Sequence, residues 1–153
     1  MFNLVISKAD DVHRDIIQQN RLDSVKRYYD AVDRQSFDEA LDIFDSSARY
    51  DRGGFRFFKN KAEIQRFYNK ERLIKGVHKI NVDSFTTKLK DLPYYVRAYV
   101  TGPAMYVTGN FIGQKQNQPV YLTFKDLWVF REDDEKQNDR VVFRKTWVSQ
   151  PHV

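Results

Sequence analysis

The second half of the chain alternates apolar and polar residues, and the first half repeats its apolar residues at helical spacing. Between Tyr121 and Arg131 the period is two. Leu122, Phe124, Asp126, Trp128 and Phe130 fall on one side of an extended strand, and Tyr121, Thr123, Lys125, Val129 and Arg131 fall on the other. Runs rich in β-branched and aromatic residues at Val77 to Thr87, Tyr94 to Thr101, Met105 to Ile112, Val120 to Arg131 and Arg140 to Ser149 predict five strands. The breaks between them hold Pro93, Gly102-Pro103, the stretch Gly113 to Pro119 and the charged run Glu132 to Asp139. Successive strands of this kind form a meandering antiparallel sheet.

Upstream, Leu22, Val25, Tyr29 and Val32, with Tyr28 beside them, predict a helix that starts at Asp11 or Asp23 and runs to Arg34. Ser36 and Glu39 form an S-x-x-E capping box ahead of Phe37, Ala40, Leu41 and Phe44, which predicts a second short helix. Ala48 to Asp51 reads as a short extended piece ending at Gly53-Gly54. Asn60 caps a third helix bearing Ile64, Phe67, Tyr68 and Ile74, with Gly76 as its stop. Helices first and a curved antiparallel sheet afterwards define an α+β domain, a cone closed by three N-terminal helices. The length of 153 residues suits one domain over the whole chain, with roughly the first 20 residues as an extra helix or arm.

The pattern also places one charge among rings. Asp126 points where Phe124, Trp128 and Phe130 point, and a carboxylate there must be paired or stay protonated. A protonated Asp126 would be a buried acid or hydrogen-bond donor. A paired one would be structural, and Lys145, alternating with Phe143 and Trp147, is the cation the pattern offers it. His78 shares a strand face with Ile80 and Val82 and is either a pocket acid or base or a hydrogen-bonded core residue. Arg52, near the double glycine, could present a guanidinium to an anionic substrate, while Arg49 suits surface ion pairing.

Composition narrows the classes. Basic residues exceed acidic ones by only 26 to 21 and are interleaved with them, so no basic block suggests nucleic acid. The absence of cysteine removes disulfide and thiol chemistry. The opening M-F-N-L-V-I-S is too short an apolar run for a signal peptide, nothing later approaches spanning length, and a cytoplasmic protein with no membrane partner is expected. No second histidine or carboxylate stands at metal-ligand spacing near His78. With no phosphate loop, dinucleotide fingerprint or G-x-S-x-G, neither a metal nor a cofactor is expected. Aromatics make up 15% of the chain, enough large rings to line a pocket as well as fill a core.

Several segments in one order carry a resemblance. V-K-R-Y-Y-D-A-V around Tyr28, S-F-D-E-A-L-D-I-F, Y-D-R-G-G, R-F-Y-N-K-E-R-L-I-K-G-V-H-K-I, G-N-F-I-G, F-K-D-L-W-V-F and the final R-K-T-W resemble the SnoaL-like polyketide cyclases and ketosteroid isomerases. These belong to the nuclear transport factor 2-like superfamily, whose fold is a cystatin-like α+β roll. The resemblance runs from about Leu22 to Trp147. It implies that Tyr28 stands where those isomerases have an oxyanion-hole tyrosine, that Asp126 stands where they have a protonated aspartate, and that Trp147 is an aromatic pocket position. Where their general base belongs, this sequence has Arg52, with Asp51 one place earlier.

The expectation is a cofactor-independent isomerase, cyclase or dehydratase acting on a hydrophobic, oxygenated small molecule of polyketide, steroid or terpenoid type. Asp126 and Tyr28 would serve as acid and oxyanion partner and His78 or Asp51 as base. Arg52, Phe124, Trp128, Phe130, Trp147 and Lys145 would contact the substrate. The alternatives are a non-catalytic ligand-binding or dimerisation module and a protein-binding adaptor. A homodimer is expected through the outer sheet face, where Tyr121, Thr123, Leu127 and Val129 are apolar for a solvated strand.

Overall fold

The computed structural model describes residues 2–53, 56–82, 92–132 and 139–150, with side chains from residue 16 onward. Helix α1 (Phe2–Asp33) is continuous, so the N-terminal arm and the first expected helix are one element. Its inward stripe is Ile17, Arg21, Val25, Tyr28, Tyr29 and Val32, all buried at three- and four-residue spacing. The helix ends in a Schellman motif. Gln35 adopts φ 63°, its N–H reaches the Val32 carbonyl at 2.9 Å, and the Ser36 N–H reaches that of Ala31 at 2.8 Å.

Helix α2 (Phe37–Leu41) follows, but the expected capping box does not form. Ser36 Oγ meets the Glu39 carboxylate at 3.3 Å and no helix amide. Phe44 leaves the helix and opens strand β1 (Phe44–Gly53), which is far longer than the extended piece expected there. After β2 (Arg56–Phe58), α3 (Lys61–Arg66) starts on a side-chain N-cap. Asn60 accepts from the Glu63 N–H at 3.0 Å, and the Glu63 carboxylate accepts from the Lys59 N–H. A π-helical turn (Phe67–Glu71) ends this helix, so Ile74 is the first residue of β3 (Ile74–Val82) and not the tail of a helix.

Gly76, expected as a helix stop, lies inside β3 opposite Gly113. A Cβ on Gly76 would sit 2.6 Å from the Gly113 Cα, so the two strands approach here as only glycine allows. The strand expected from Tyr94 is instead a helical turn, α4 (Tyr94–Arg97), begun by Pro93. Strands β4 (Ala104–Lys115) and β5 (Gln118–Phe130) run through the break expected at Gly113 to Pro119. A two-residue hairpin joins them, with Gln116 at φ 50° and Asn117 at φ 68°. Strand β6 (Val141–Val148) completes one sheet of order β2-β1-β6-β5-β4-β3, antiparallel except where β1 runs parallel to β6.

The sheet is sandwiched between two apolar layers. Its concave side packs on α1, α2 and α3 through Tyr28, Phe44, Trp128 and Phe130. Its other side packs Leu127, Val129 and Phe143 under Leu92, Val96 and Ala104, with Tyr99 stacked on Phe143 at 4.7 Å. This second layer changes the expected surface, because Leu127 and Val129 are fully covered by their own chain.

Candidate functional site

Register decides which side chains face the cone. On β5 and β6 Asp126 pairs with Thr146, Trp128 with Arg144, and Leu127 with Lys145. Directly opposed residues share a face, so Arg144 and Thr146 join Asp126 inside while Lys145 and Trp147 lie outside. Parallel pairing of β1 with β6 sets Tyr50 beside Arg144 and Asp51 beside Lys145.

Asp126 is 1% exposed and its carboxylate is surrounded by donors. Arg144 Nη2 reaches it at 2.8 Å, and the hydroxyls of Tyr29 and Thr146 donate to its two oxygens. The proton count is then fixed. Thr146 has given its only proton to Asp126, so Tyr50 donates to Thr146 Oγ1 at 2.8 Å, and Trp128 Nε1 donates to the Tyr29 oxygen at 3.2 Å. A carboxylate facing three donors is an acceptor and an ion-pair partner. This replaces the hydrogen-bond-donor geometry expected of Asp126, and the cation is Arg144 rather than Lys145. Lys145 instead pairs with Asp51 at 2.8 Å on the outer layer.

Arg144 is the hub of the site. Its guanidinium lies 4.4 to 4.7 Å from the ring centroids of Trp128, Tyr50 and Tyr28, and Nη1 donates to the hydroxyls of Tyr28 and Tyr68. Burial opposes its charge, but Asp126 and the surrounding phenols hold it protonated well above its ordinary value. Burial likewise pushes Tyr28 and Tyr29 well above the usual phenol range and Tyr50 up to about 12. Tyr68 goes the other way. Burial would raise it, yet the charges of Arg144 and Arg72 outweigh that and bring it below the ordinary phenol value.

The Tyr28 and Tyr68 hydroxyls touch each other. Both oxygens accept from Arg144, and only one of their two protons can lie between them. Either hydroxyl can donate to the other. With Tyr28 as the donor, the Tyr68 proton is left for a ligand.

His78 approaches from the opposite wall. Asp33, at the end of α1, contacts His78 Nδ1 with one oxygen and accepts the His78 backbone N–H at 2.9 Å with the other. With Asp33 accepting a hydrogen bond from Nδ1–H, the neutral tautomer leaves Nε2 as the acceptor. The ring is wedged between Tyr29, Phe111 and Phe124 at centroid distances of 4.8 to 5.4 Å.

These groups border a cavity of about 60 Å³ inside the cone. Of the expected site residues, Tyr28, His78, Asp126, Arg52 and Phe124 line it. Trp128 and Phe130 face the same side but are packed into the core beneath, whereas Asp51, Lys145 and Trp147 belong to the outer face. Arg144, Tyr50, Tyr68, Thr146 and the supporting Tyr29 and Asp33 were not singled out by the sequence reading as site residues. Among the described residues no three His, Cys, Asp or Glu side chains stand together as a metal site, and no helix is long and apolar enough to cross a membrane.

No family model and no curated relative matches the sequence. Solved structures do match in shape. A ketosteroid isomerase-like protein from Erwinia carotovora atroseptica superposes with TM-score 0.64 at 9% identity, over 84% of this chain and 92% of that one. An NTF2-like protein of unknown function from Burkholderia pseudomallei gives 0.58 at 17%, over 84% and 89%. The chain has the nuclear transport factor 2-like fold. A candidate polyketide cyclase from Xanthomonas campestris pv. campestris shares this fold with TM-score 0.63 at 12% identity, over 85% and 90%. At such identities the likeness is one of fold, and the nuclear transport factor 2-like cone explains why the polar groups converge inside it and not at a sheet edge.

Proposed function

We propose that this chain is a cofactor-independent enzyme that moves a proton on an oxygenated small molecule, as an isomerase, cyclase or lyase. The observation that carries the reading is the convergence on one cavity of an imidazole oriented by Asp33 and a phenol made acidic by Arg144 and Arg72. His78 Nε2 takes a proton next to a carbonyl. The developing oxyanion is met by the Tyr68 hydroxyl, with the Arg144 charge behind it. Asp126 neutralises and aims Arg144 instead of acting as the acid. The apolar wall of Phe111, Leu122 and Phe124 selects a hydrophobic substrate portion, and the narrow cavity admits its reacting end. Isomerase-like and cyclase-like neighbours of the same fold support this reading over a purely structural module.

The test is solvent-deuterium incorporation, followed by NMR, at carbons next to the carbonyl in a panel of small neutral and carboxylated aryl ketones. Wild type should accelerate exchange. His78→Gln and Tyr68→Phe should each lower that rate by roughly 100- to 10,000-fold, the range for a lost acid-base or oxyanion group. A wild type that binds the ketones without accelerating exchange would remove the proposal.

A further inference from the structure

The outer side of the sheet carries chemistry that the cone does not use. No basic block stands in the sequence, but folding gathers cations and rings there from residues as far apart as Arg49 and Trp147. Lys145 lies 5.0 Å from the Tyr95 centroid and 4.9 Å from that of Trp147. Lys125, opposite Trp147 in the register, lies 4.2 Å from the Tyr106 centroid. At the β1 end Arg49 lies 5.5 Å from the Tyr99 centroid, and Phe57 packs against the same ring at 5.8 Å. Asp51 neutralises Lys145. Arg49 and Lys125 are both exposed, and among the described residues neither has an ion pair, so their charge faces solvent over aromatic rings.

The rings are exposed beyond what packing asks of them. Val96 and Leu92 already cover Leu127 and Val129, yet Tyr94 is 86% exposed, Tyr95 53% and Phe57 40%. A single exposed ring is ordinary, whereas three beside a row of cations mark a binding surface. The surface is also long. Phe57, Asp51, Lys145, Leu127 and Tyr106 follow one another across β2, β1, β6, β5 and β4, four strand spacings or about 19 Å. That length suits a chain and not a small molecule.

We infer that this face is a docking surface for single-stranded nucleic acid, whose bases stack on Tyr94 and Tyr95 and whose phosphates meet Arg49 and Lys125. The net charge of +5 favours a polyanion. An acidic peptide would use the cations alone and leave the rings idle, and a duplex keeps its bases stacked on one another, so the exposed rings favour an unpaired strand. The inference concerns the side of the sheet away from the cavity and stands or falls apart from the chemistry of the cone.

The probe is fluorescein-labelled oligothymidylate of about 16 residues, long enough for a single-strand site, titrated with the full chain and followed by anisotropy. Binding should fall in the roughly micromolar range at low salt, and log K should fall against log salt with a slope of about −1.4 or steeper, the value for two phosphate contacts. Arg49→Gln/Lys125→Gln should flatten that slope by about 1.4. Tyr94→Ala and Tyr95→Ala should each weaken binding roughly tenfold, as for the loss of one stacked base, and Tyr94 is exposed enough for its loss to leave the fold intact. Lys75→Gln/Lys79→Gln removes the same charge from exposed positions of β3 and should leave affinity and slope unchanged. An equal loss in both double variants would reduce the binding to attraction by net charge and overturn the inference. Polyglutamate competing as well as the oligonucleotide would overturn it in favour of an acidic protein segment, and no binding at about 100 μM would overturn it outright. Repeating the titration with oligouridylate distinguishes RNA from DNA, and tighter binding of either strand upholds the inference.

Discussion

At the scale of single residues, Asp126 is what keeps a buried guanidinium neutralised. In Asp126→Asn the shape is kept, but Arg144 stays charged with its ion-pair partner gone. Breaking a buried pair from one side costs on the order of 3 to 5 kcal/mol. The variant should therefore melt well below wild type before any question of activity arises, and a melting temperature equal to wild type would contradict the ion-pair role. The phenols make a second prediction, whose sign differs among them. Tyr28, Tyr29 and Tyr50 have raised values, so the stability they lend is complete below the unfolded phenol value of about 10 and is lost as pH rises through their folded values. Tyr68 has a lowered value, so its contribution is present above about 10 and is lost as pH falls through its folded value. Absorbance titration at the phenolate band should show one early-ionising tyrosine that is missing in Tyr68→Phe. The other three should titrate only as the chain unfolds in alkali. An unchanged early step in the variant would show that Tyr68 is not the acidic phenol.

At the scale of elements, legibility followed how one-sided each element is. Strand β5 could be read because Asp126 interrupts an otherwise apolar face, and α1 because its buried stripe keeps helical spacing. Strand β6 could not be read the same way. Phe143, Arg144, Lys145 and Thr146 are all buried, so its own pattern leaves open which parity faces the cone, and a shift of one residue exchanges Arg144 for Lys145. That ambiguity accounts for the misplaced partner of Asp126, whereas Trp147 was given its pocket place by the family resemblance and the β5–β6 register turns it outward. The segment from Tyr94 failed for a different reason. Its aromatic and β-branched residues have strand propensity, yet Pro93 starts a helical turn that buries Val96 on the outer face, and tertiary burial prevailed over propensity. Asp33 was hidden by distance, since its contact with His78 joins residues 45 positions apart at a helix end the sequence marks only as a boundary. The Gln116-Asn117 turn lacks glycine, so the pattern gave the antiparallel pairing of β4 and β5 but not the tight two-residue turn that lengthens both strands.

At the scale of the whole molecule, the two-layered sheet leaves one part of its outer face uncovered. Leu127 and Val129 drop out as dimer contacts because α4 and its flanking residues bury them. Toward the other edge, Val77 pairs with Ile112 and Ile112 with Tyr121, and all three are exposed. Adjacent strands lie about 4.8 Å apart, so these side chains form one continuous apolar ladder and not scattered surface residues. We propose that the expected homodimer uses this ladder, since a two-fold contact needs a patch that can meet its own copy and the covered end of the sheet no longer offers one. Sedimentation at micromolar concentration should then give twice the 18.3 kDa of the chain. Ile112→Glu, which puts a charge at the centre of the ladder, should return the protein to a monomer while leaving the proton exchange in the cone unchanged. Wild type sedimenting only at 18.3 kDa would remove the dimer, and a dimer indifferent to Ile112→Glu would move its interface to another surface.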